Sequence, residues 1–184
     1  MTDQELSVDE QGTEREMSLE VNGSTHHLPV RDDELLVSTL RERLGLRAVR
    51  ATCGIGICGT CTVQVDGHVA SSCLLLTRQV EGRDIRTSEG LVSEDGQLSR
   101  VQQAFLDNRA YQCSYCIPGM VVTVDACLTE HPDATFEEVR DYLAGNLCRC
   151  GTYVSILEAV RELVANRRET REVPAADEAD PPSG

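Results

Sequence analysis

The chain has 184 residues, of which 40% are hydrophobic and 26% charged, enough to build one domain or two small ones. No apolar run approaches the roughly 20 residues of a membrane-spanning helix, and the acidic start lacks the apolar core of a secretory signal. The net charge of −14 argues against nucleic acid and anionic lipid as partners. Because tryptophan is absent and aromatic residues make up 3%, few side chains are available to stack on bases.

Acidic residues are concentrated at the two ends of the chain. Residues 1–16 carry six acidic residues and one arginine, and residues 169–184 carry five acidic residues and one arginine. The C-terminal segment also contains three of the six prolines. We therefore expect both segments to be solvated tails around a folded body.

Alternating apolar residues and tight-turn pairs predict two β-hairpins in the first half of the chain. The first covers residues 17–30 around Asn22-Gly23, and the second covers residues 63–69 around Asp66-Gly67.

Between the hairpins, a leucine stripe predicts a helix over about 34–45, capped by Asp32 or Asp33. Residues 74–76 and 84–86 are further strand candidates.

After residue 88 the apolar period changes from that of strands to that of helices. Four short helices are predicted: about 97–108, one that begins at Pro118 and runs through Leu128, one capped by Thr135 and Glu138 that ends near Asn146, and about 153–166. The fold class is therefore α+β, with a sheet domain over residues 17–88 followed by a helical domain over residues 89–168.

Nine cysteines are the unusual feature of the composition. An odd number, without a secretory signal, argues against a disulfide framework. Cys127 stands alone in a predicted apolar helix, where we expect a buried free thiol. The other eight form a first set, Cys53, Cys58, Cys61 and Cys73 (C-x4-C-x2-C-x11-C), and a second set, Cys113, Cys116, Cys148 and Cys150 (C-x2-C-x31-C-x1-C). Four thiolates select zinc or an iron–sulfur cluster, so the two sets indicate two metal centres.

The first set has the spacing of a plant-type [2Fe–2S] site. Gly54, Gly56 and Gly59 allow the loop to approach a cluster closely and to aim N–H groups at the sulfurs. Such donors offset the double negative charge of an oxidised all-thiolate centre. A structural zinc site is the alternative, although zinc motifs seldom place this spacing in a glycine loop.

The spacing of the second set is less specific for one kind of metal site. From spacing alone it suits an iron–sulfur cluster, a structural zinc site or a disulfide pair. Its position after a ferredoxin-type domain favours a second cluster. The four histidines do not lie at ligand spacing from either set.

Four signatures occur in order: CGIGICGTCTV at residues 53–63, Ser72-Cys73, QCSYCIPGM at residues 112–120, and GNLCRCGTY at residues 145–153. Together, over about residues 17–166, they resemble the iron–sulfur subunit of the xanthine dehydrogenase family of molybdenum hydroxylases. The resemblance implies a β-grasp ferredoxin-like domain followed by a four-helix bundle domain, each with one [2Fe–2S] cluster.

The resemblance also implies an electron path and partners. Substrate would be oxidised at a molybdopterin site, in its cytosine dinucleotide form, on a large subunit. Electrons would pass to the second-set cluster, then to the first-set cluster, and then to FAD on a medium subunit or to another acceptor. Gln112 and Cys150 match the family positions that contact the pterin.

Three departures from the family's common pattern stand out. Ser114-Tyr115 replaces the common Gly-Phe, Ile117 replaces a frequent threonine, and Gly151-Thr152 reverses the common Thr-Gly. The Gly-Thr order resembles that found in the branch of the family that oxidises isoquinoline, nicotinate and aldehydes. None of the departures removes a ligand.

The expected function is that of a cytoplasmic electron-transfer subunit that turns over no substrate alone. A free-standing two-cluster ferredoxin and a zinc-stapled adaptor are the alternatives. Exposed acidic residues around the first set would favour the ferredoxin, whereas an apolar surface around the second set would favour the obligate subunit.

Overall fold

The computed structural model describes residues 14–93 and 95–172, with side chains up to residue 166. The predicted tails lie outside the described residues over 1–13 and 173–184. Within the described residues, no helix is long and apolar enough to cross a membrane.

Five strands form one mixed sheet. In chain order they are β1 (Glu14–Val21), β2 (Ser24–Arg31), β3 (Thr62–Val65), β4 (His68–Ser71) and β5 (Asp84–Arg86). The spatial order is β2-β1-β5-β3-β4, with β5 parallel to β1 and antiparallel to β3. Both predicted hairpins are confirmed, as β1–β2 and β3–β4.

The turn residues adopt the backbone conformation that their sequence predicts. Asn22 and Gly23 have φ of 53° and 76°, and Asp66 and Gly67 have φ of 51° and 83°. Strand β1 begins earlier than the hydrophobic pattern indicates, because the ladder with β2 continues through Glu14, which lies opposite Arg31.

Two local predictions for the first half, the helix cap and a strand at 74–76, are wrong, although the helix itself is confirmed in place. The helix is short: α1 (Leu36–Ser38) continues as a π-helical turn over Thr39–Arg43. Its N-cap is Leu35, without a side-chain cap, because Asp33 instead forms a salt bridge with Arg31 at 2.9 Å. In place of a strand at 74–76 the chain makes a single bridge, between Leu35 and Leu76.

A carboxylate fixes this short helix to the sheet. Glu34 accepts hydrogen bonds from Arg43 Nε and Nη2 at 2.7 and 2.6 Å and from the Thr39 hydroxyl at 2.7 Å. The Thr39 and Thr77 hydroxyls also contact each other at 2.7 Å. Burial disfavours the charged form of Glu34, but these hydrogen bonds outweigh it and lower the pKa of its carboxyl.

Four helices follow the sheet: α2 (Arg100–Asp107), α3 (Ile117–Glu130), α4 (Phe136–Tyr142) and α5 (Tyr153–Glu172). The capping box of Thr135 and Glu138 is confirmed at the start of α4. Helix α5 continues beyond its last apolar residue, since residues 167–172 are mostly strong helix formers.

Each half of the chain has a buried core of its own. Leu19, Val63 and Ile85 are fully buried in the core of the sheet. Phe105, Met120 and Ile156 are at most 2% exposed in a core that α2 to α5 share. The observed architecture is therefore α+β, with a mixed sheet followed by packed helices.

Helix α3 covers the second face of β3 and thereby joins the halves. All four residues of β3 are buried, including Thr62 and Gln64. Gln64 Nε2 donates to the carbonyl of Val122 at 3.2 Å and to Asp125 Oδ2 at 3.0 Å, both on α3. The amide is thus paired although it lies between the two halves.

Two backbone segments meet closely at the same interface. A Cβ added to Gly119 on α3 would lie 2.4 Å from the carbonyl oxygen of Gly59, a distance that real contacts do not show. Gly119 therefore serves close packing at a position where alanine would favour the helix by about 1 kcal/mol.

We expect Glu34→Gln to destabilise the protein by about 1–3 kcal/mol, because three hydrogen bonds from Arg43 and Thr39 lose their charged acceptor, whose side chain is only 10% exposed. The measurement is the urea midpoint of the far-ultraviolet circular dichroism signal at pH 7. Asp33→Asn is the matched control, since it removes a solvent-exposed salt bridge, a kind of pair that contributes little to stability. Equal midpoints for the two variants would contradict the role given to Glu34.

We expect Gly119→Ala to destabilise the protein by about 1–3 kcal/mol, because the added methyl group meets a backbone carbonyl that has little room to move. Gly145→Ala is the control, as its added Cβ meets no atom within 4 Å. The two melting temperatures decide the matter, and a Gly119→Ala protein as stable as the wild type would show that the interface is loose.

Candidate metal centres

The first cysteine set is brought together by one loop and the end of a hairpin. Cys53 and Cys58 lie in the loop before β3, Cys61 directly precedes β3, and Cys73 follows β4. The side chains form two pairs in contact, Cys53 with Cys58 and Cys61 with Cys73. Ser72 fixes the second pair by donating from its hydroxyl to the carbonyl of Cys61 at 2.7 Å.

The glycine loop turns its amide groups toward sulfur. Gly54, Gly56 and Gly59 all have positive φ, between 67° and 73°, a conformation that costs glycine little. N–H groups of Ile55 and neighbouring residues reach the sulfur of Cys53 and lower the pKa of its thiol to about 6. This cysteine is therefore largely a thiolate at neutral pH, the form that binds a metal.

The second pair of the first set, Cys61 and Cys73, lies in surroundings that disfavour the thiolate, unlike those of Cys53. Cys61 is 2% exposed and Cys73 is 5% exposed. Burial raises the pKa of the Cys61 thiol to about 11. A buried thiolate pair is stable only when positive charge compensates it, and coordinated iron would supply that charge.

The second set surrounds the start of α3. Cys113 lies in the preceding turn, Cys116 is the N-cap of α3, and Cys148 and Cys150 lie between α4 and α5. Contacts again form two pairs, Cys113 with Cys150 and Cys116 with Cys148.

The second set combines an exposed and a buried edge. The N–H of Tyr115 lowers the pKa of the exposed Cys113 thiol, whereas burial raises the pKa of Cys116 to about 12.

Ser114 has a φ of 62°, a left-handed conformation that glycine adopts at little cost, which explains why glycine suits this position. The departure from the family's common glycine therefore changes backbone strain rather than the ligand set.

Both sets fit a two-iron cluster by their chemistry and pairing. In an all-thiolate [2Fe–2S] centre each iron takes two protein sulfurs, and each set offers two contacting pairs. Within the described part of the chain, no three His, Cys, Asp or Glu side chains form a group that could hold a single metal ion.

The two sets are linked through hydrogen-bonded backbone. The N–H of Leu147 donates to the carbonyl of Cys58 at 3.0 Å. The neighbouring Asn146 donates from Nδ2 to the carbonyl of Gly59, also at 3.0 Å. One hydrogen bond therefore joins Cys58 of the first set to Leu147, the residue that precedes Cys148 of the second set.

The two residues matched to pterin contact also lie together. Gln112 and Cys150 are both exposed, and Gln112 Nε2 donates to the carbonyl of Cys150 at 3.2 Å. Exposed apolar side chains lie next to them in sequence, with Tyr153 40% and Val154 75% exposed.

Cys127 is 1% exposed in the helical core, as predicted. Of the histidines, His68 and His131 contact Glu130 rather than a cysteine set.

Sequence reasoning missed three residues that support the sets. The Thr60 hydroxyl lies 3.3 Å from the sulfur of Cys58, and the Tyr153 hydroxyl accepts from the N–H of Cys148 at 2.8 Å. Gly119, in the first turn of α3, is the third. A glycine inside a predicted helix indicates close packing, so Gly119 could have been found, whereas Thr60 and Tyr153 resemble ordinary loop residues.

Comparisons with known proteins agree with this geometry. Residues 19–92 match the family model of the 2Fe-2S iron-sulfur cluster binding domain, and residues 87–161 match that of the [2Fe-2S] binding domain. The nicotinate dehydrogenase small FeS subunit from Eubacterium barkeri is 42% identical over 148 residues, covering 80% of this chain and 94% of the relative.

Two solved structures are also similar. Quinoline 2-oxidoreductase from Pseudomonas putida 86 matches with a TM-score of 0.79 and 36% identity, over 86% of this chain and 98% of the matched chain. The aldehyde oxidoreductase from Desulfovibrio desulfuricans matches with a TM-score of 0.78 and 37% identity, over 84% of this chain but only 17% of its own.

Two successive [2Fe–2S] domain models and a relative matched over nearly its full length therefore coincide with the two cysteine sets. The chain belongs to the iron–sulfur small subunits of the molybdenum hydroxylases, the family of xanthine dehydrogenase, and functions in electron transfer as one subunit of an oxidoreductase.

Proposed function

We propose that the chain relays single electrons through two [2Fe–2S] clusters, one in each half. The first cluster is assigned to a β-grasp domain over residues 17–88, and the second to a four-helix bundle domain over residues 89–168. Their ligands would be Cys53, Cys58, Cys61 and Cys73 for the first cluster, and Cys113, Cys116, Cys148 and Cys150 for the second.

The clusters, when bound, supply reversible one-electron chemistry. The protein's own residues hold and tune them. N–H groups of the glycine loop donate to the Cys53 sulfur and that of Tyr115 to the Cys113 sulfur, and such donors stabilise added negative charge. Burial of Cys61 and Cys116 keeps water from the inner edges.

The observation that carries the relay is the hydrogen bond from Leu147 N–H to the Cys58 carbonyl. It connects the backbone of Cys58, a proposed ligand of the first cluster, to Leu147, which is covalently bonded to Cys148, a proposed ligand of the second cluster. An electron therefore has a path between the sets that avoids a jump through solvent.

The donor is proposed to be a molybdopterin cofactor, in its cytosine dinucleotide form, on a large partner protein. Support comes from Gln112 and Cys150, which share a hydrogen bond at the surface, and from the exposed side chains of Tyr153 and Val154, which follow Cys150 by three and four residues. An apolar surface beside the second set favours an obligate partner over a free shuttle.

The acceptor is proposed to be FAD on a medium subunit or another redox protein. The exposed residues around the first set include three large apolar side chains, with Ile55 64%, Ile57 61% and Leu74 58% exposed. A diffusing ferredoxin would be expected to present acidic residues here, so this surface also favours a stable complex.

A cytoplasmic location is proposed as well. The eight cysteines of the two sets form no disulfide, which suits a reducing compartment.

Iron analysis and electron paramagnetic resonance test the two-cluster assignment. We expect about four irons and four acid-labile sulfides per chain, and two distinct signals after dithionite reduction. Cys113→Ser should remove one signal and about half of the iron, while Cys127→Ala, at a buried cysteine outside both sets, should keep both signals. A colourless wild-type protein that binds zinc would contradict the proposal.

Substitution of the linking residue tests the relay itself. Leu147→Pro removes the N–H, and the preceding Asn146 already has φ −116° and ψ 120°, the extended conformation that a following proline requires. We expect both clusters to remain and the electron transfer between them to slow several-fold, as measured by flash reduction of the first cluster. Leu147→Ala keeps the N–H and should transfer at the wild-type rate; equal rates in the two variants would exclude this path.

A further inference from the structure

Arg50 places a cation between the two cysteine sets. Its Cζ lies 5.2 Å from the centroid of the Tyr115 ring. Tyr115 lies in the turn between Cys113 and Cys116, and its hydroxyl donates to the carbonyl of Ala51 at 3.4 Å. The guanidinium of a first-loop residue therefore stacks on the turn that carries the second set.

The backbone of Arg50 is fixed to the first set. Its N–H donates to the carbonyl of Thr60 at 3.1 Å, and the Thr60 hydroxyl donates to the carbonyl of Arg50 at 3.0 Å. Thr60 in turn contacts the sulfur of Cys58 at 3.3 Å. Arg50 is thus held by the first loop while its charge lies over the second.

No carboxylate neutralises this charge within residues 14–93 and 95–166. Arg50 forms no salt bridge there, and its buried Nε has no hydrogen-bond acceptor. Arg31 and Arg43, by contrast, each pair with a carboxylate. A ring face holds the guanidinium without cancelling its field, so the positive charge remains available to a nearby anionic group.

We propose that Arg50 raises the reduction potential of the second centre by stabilising the negative charge that reduction adds. This inference rests on the proposed function, in which the second set holds a [2Fe–2S] cluster. Reduction adds one electron, supplied by the molybdenum-containing partner in the complex or by dithionite in solution. The formal charge goes from two to three negative charges, and no protein bond forms or breaks.

The effect should be larger at the second centre than at the first, because the guanidinium stacks on Tyr115 whereas the hydrogen bonds between Arg50 and Thr60 use the backbone of Arg50. The N–H of Tyr115 acts in the same direction on Cys113. Arg50 therefore helps to retain an electron where it enters the chain.

The test is a redox titration of the purified protein followed by electron paramagnetic resonance, with the second centre identified as the signal that Cys113→Ser removes. At the wild-type midpoint potential, Arg50→Gln should lower the ratio of reduced to oxidised second centre about tenfold, which is a shift of 59 mV for one electron. Arg50→Lys keeps the charge and should retain most of the wild-type ratio.

Arg161→Gln is the matched control. Arg161 also stacks on a ring, with its Cζ 4.5 Å from the centroid of Phe136, but it lies eight residues beyond Tyr153 along α5, about 12 Å further along the helix. Loss of its charge should leave both midpoints unchanged. Should Arg50→Gln fail to fold, Tyr115→Leu removes the ring and should shift the second midpoint in the same direction, while Tyr115→Phe keeps the ring and should not.

An unchanged second midpoint in Arg50→Gln, with both signals present, overturns the proposal and leaves the two-cluster function intact. A shift in Arg50→Lys as large as in Arg50→Gln overturns it too, since charge would then not be the cause. A wild-type protein with fewer than two signals overturns the proposed function itself, and the Arg50 proposal with it.

Discussion

The carbonyl of Gly59 is the contact on which the placement of the two centres depends. It lies in the first cysteine loop and accepts hydrogen bonds from Asn146 Nδ2 at 3.0 Å and the Thr62 hydroxyl at 2.8 Å. Helix α3 passes so close to it that Gly119 has no room for a side chain. Asn146 is two residues from Cys148, and Gly119 is three residues from Cys116. One backbone oxygen therefore positions both segments that carry the second set, one through the side-chain amide of Asn146 and the other through the close approach of Gly119.

The sequence predicts those features whose cause is local. The hairpin turns form because Asn-Gly and Asp-Gly pairs accept positive φ. The two matches to [2Fe-2S] domain models, over residues 19–92 and 87–161, each include one cysteine set that was recognised by its spacing, which is also a local property. The capping box of α4 is local in the same sense.

The wrong and missing predictions arise from distant segments. Gln64 alternates with apolar residues and reads as a solvent-facing strand position, yet it is 5% exposed because α3, about 60 residues later, covers it. Leu74 reads as part of a strand, but it is 58% exposed on the surface beside the first set. No pattern within either segment indicates its partner, so propensity alone could not place them.

Burial of both faces of β3 has a consequence for how such proteins can be assembled from parts. A sheet with one solvated face can be transferred between polypeptides as an independent module. Here the sheet would lose the cover over Thr62 and Gln64, and α3 would lose the partner of its Val122 carbonyl. Each half would therefore expose polar groups that the other now covers, and the region matched inside the longer aldehyde oxidoreductase chain corresponds to 84% of this chain, enough to include both halves.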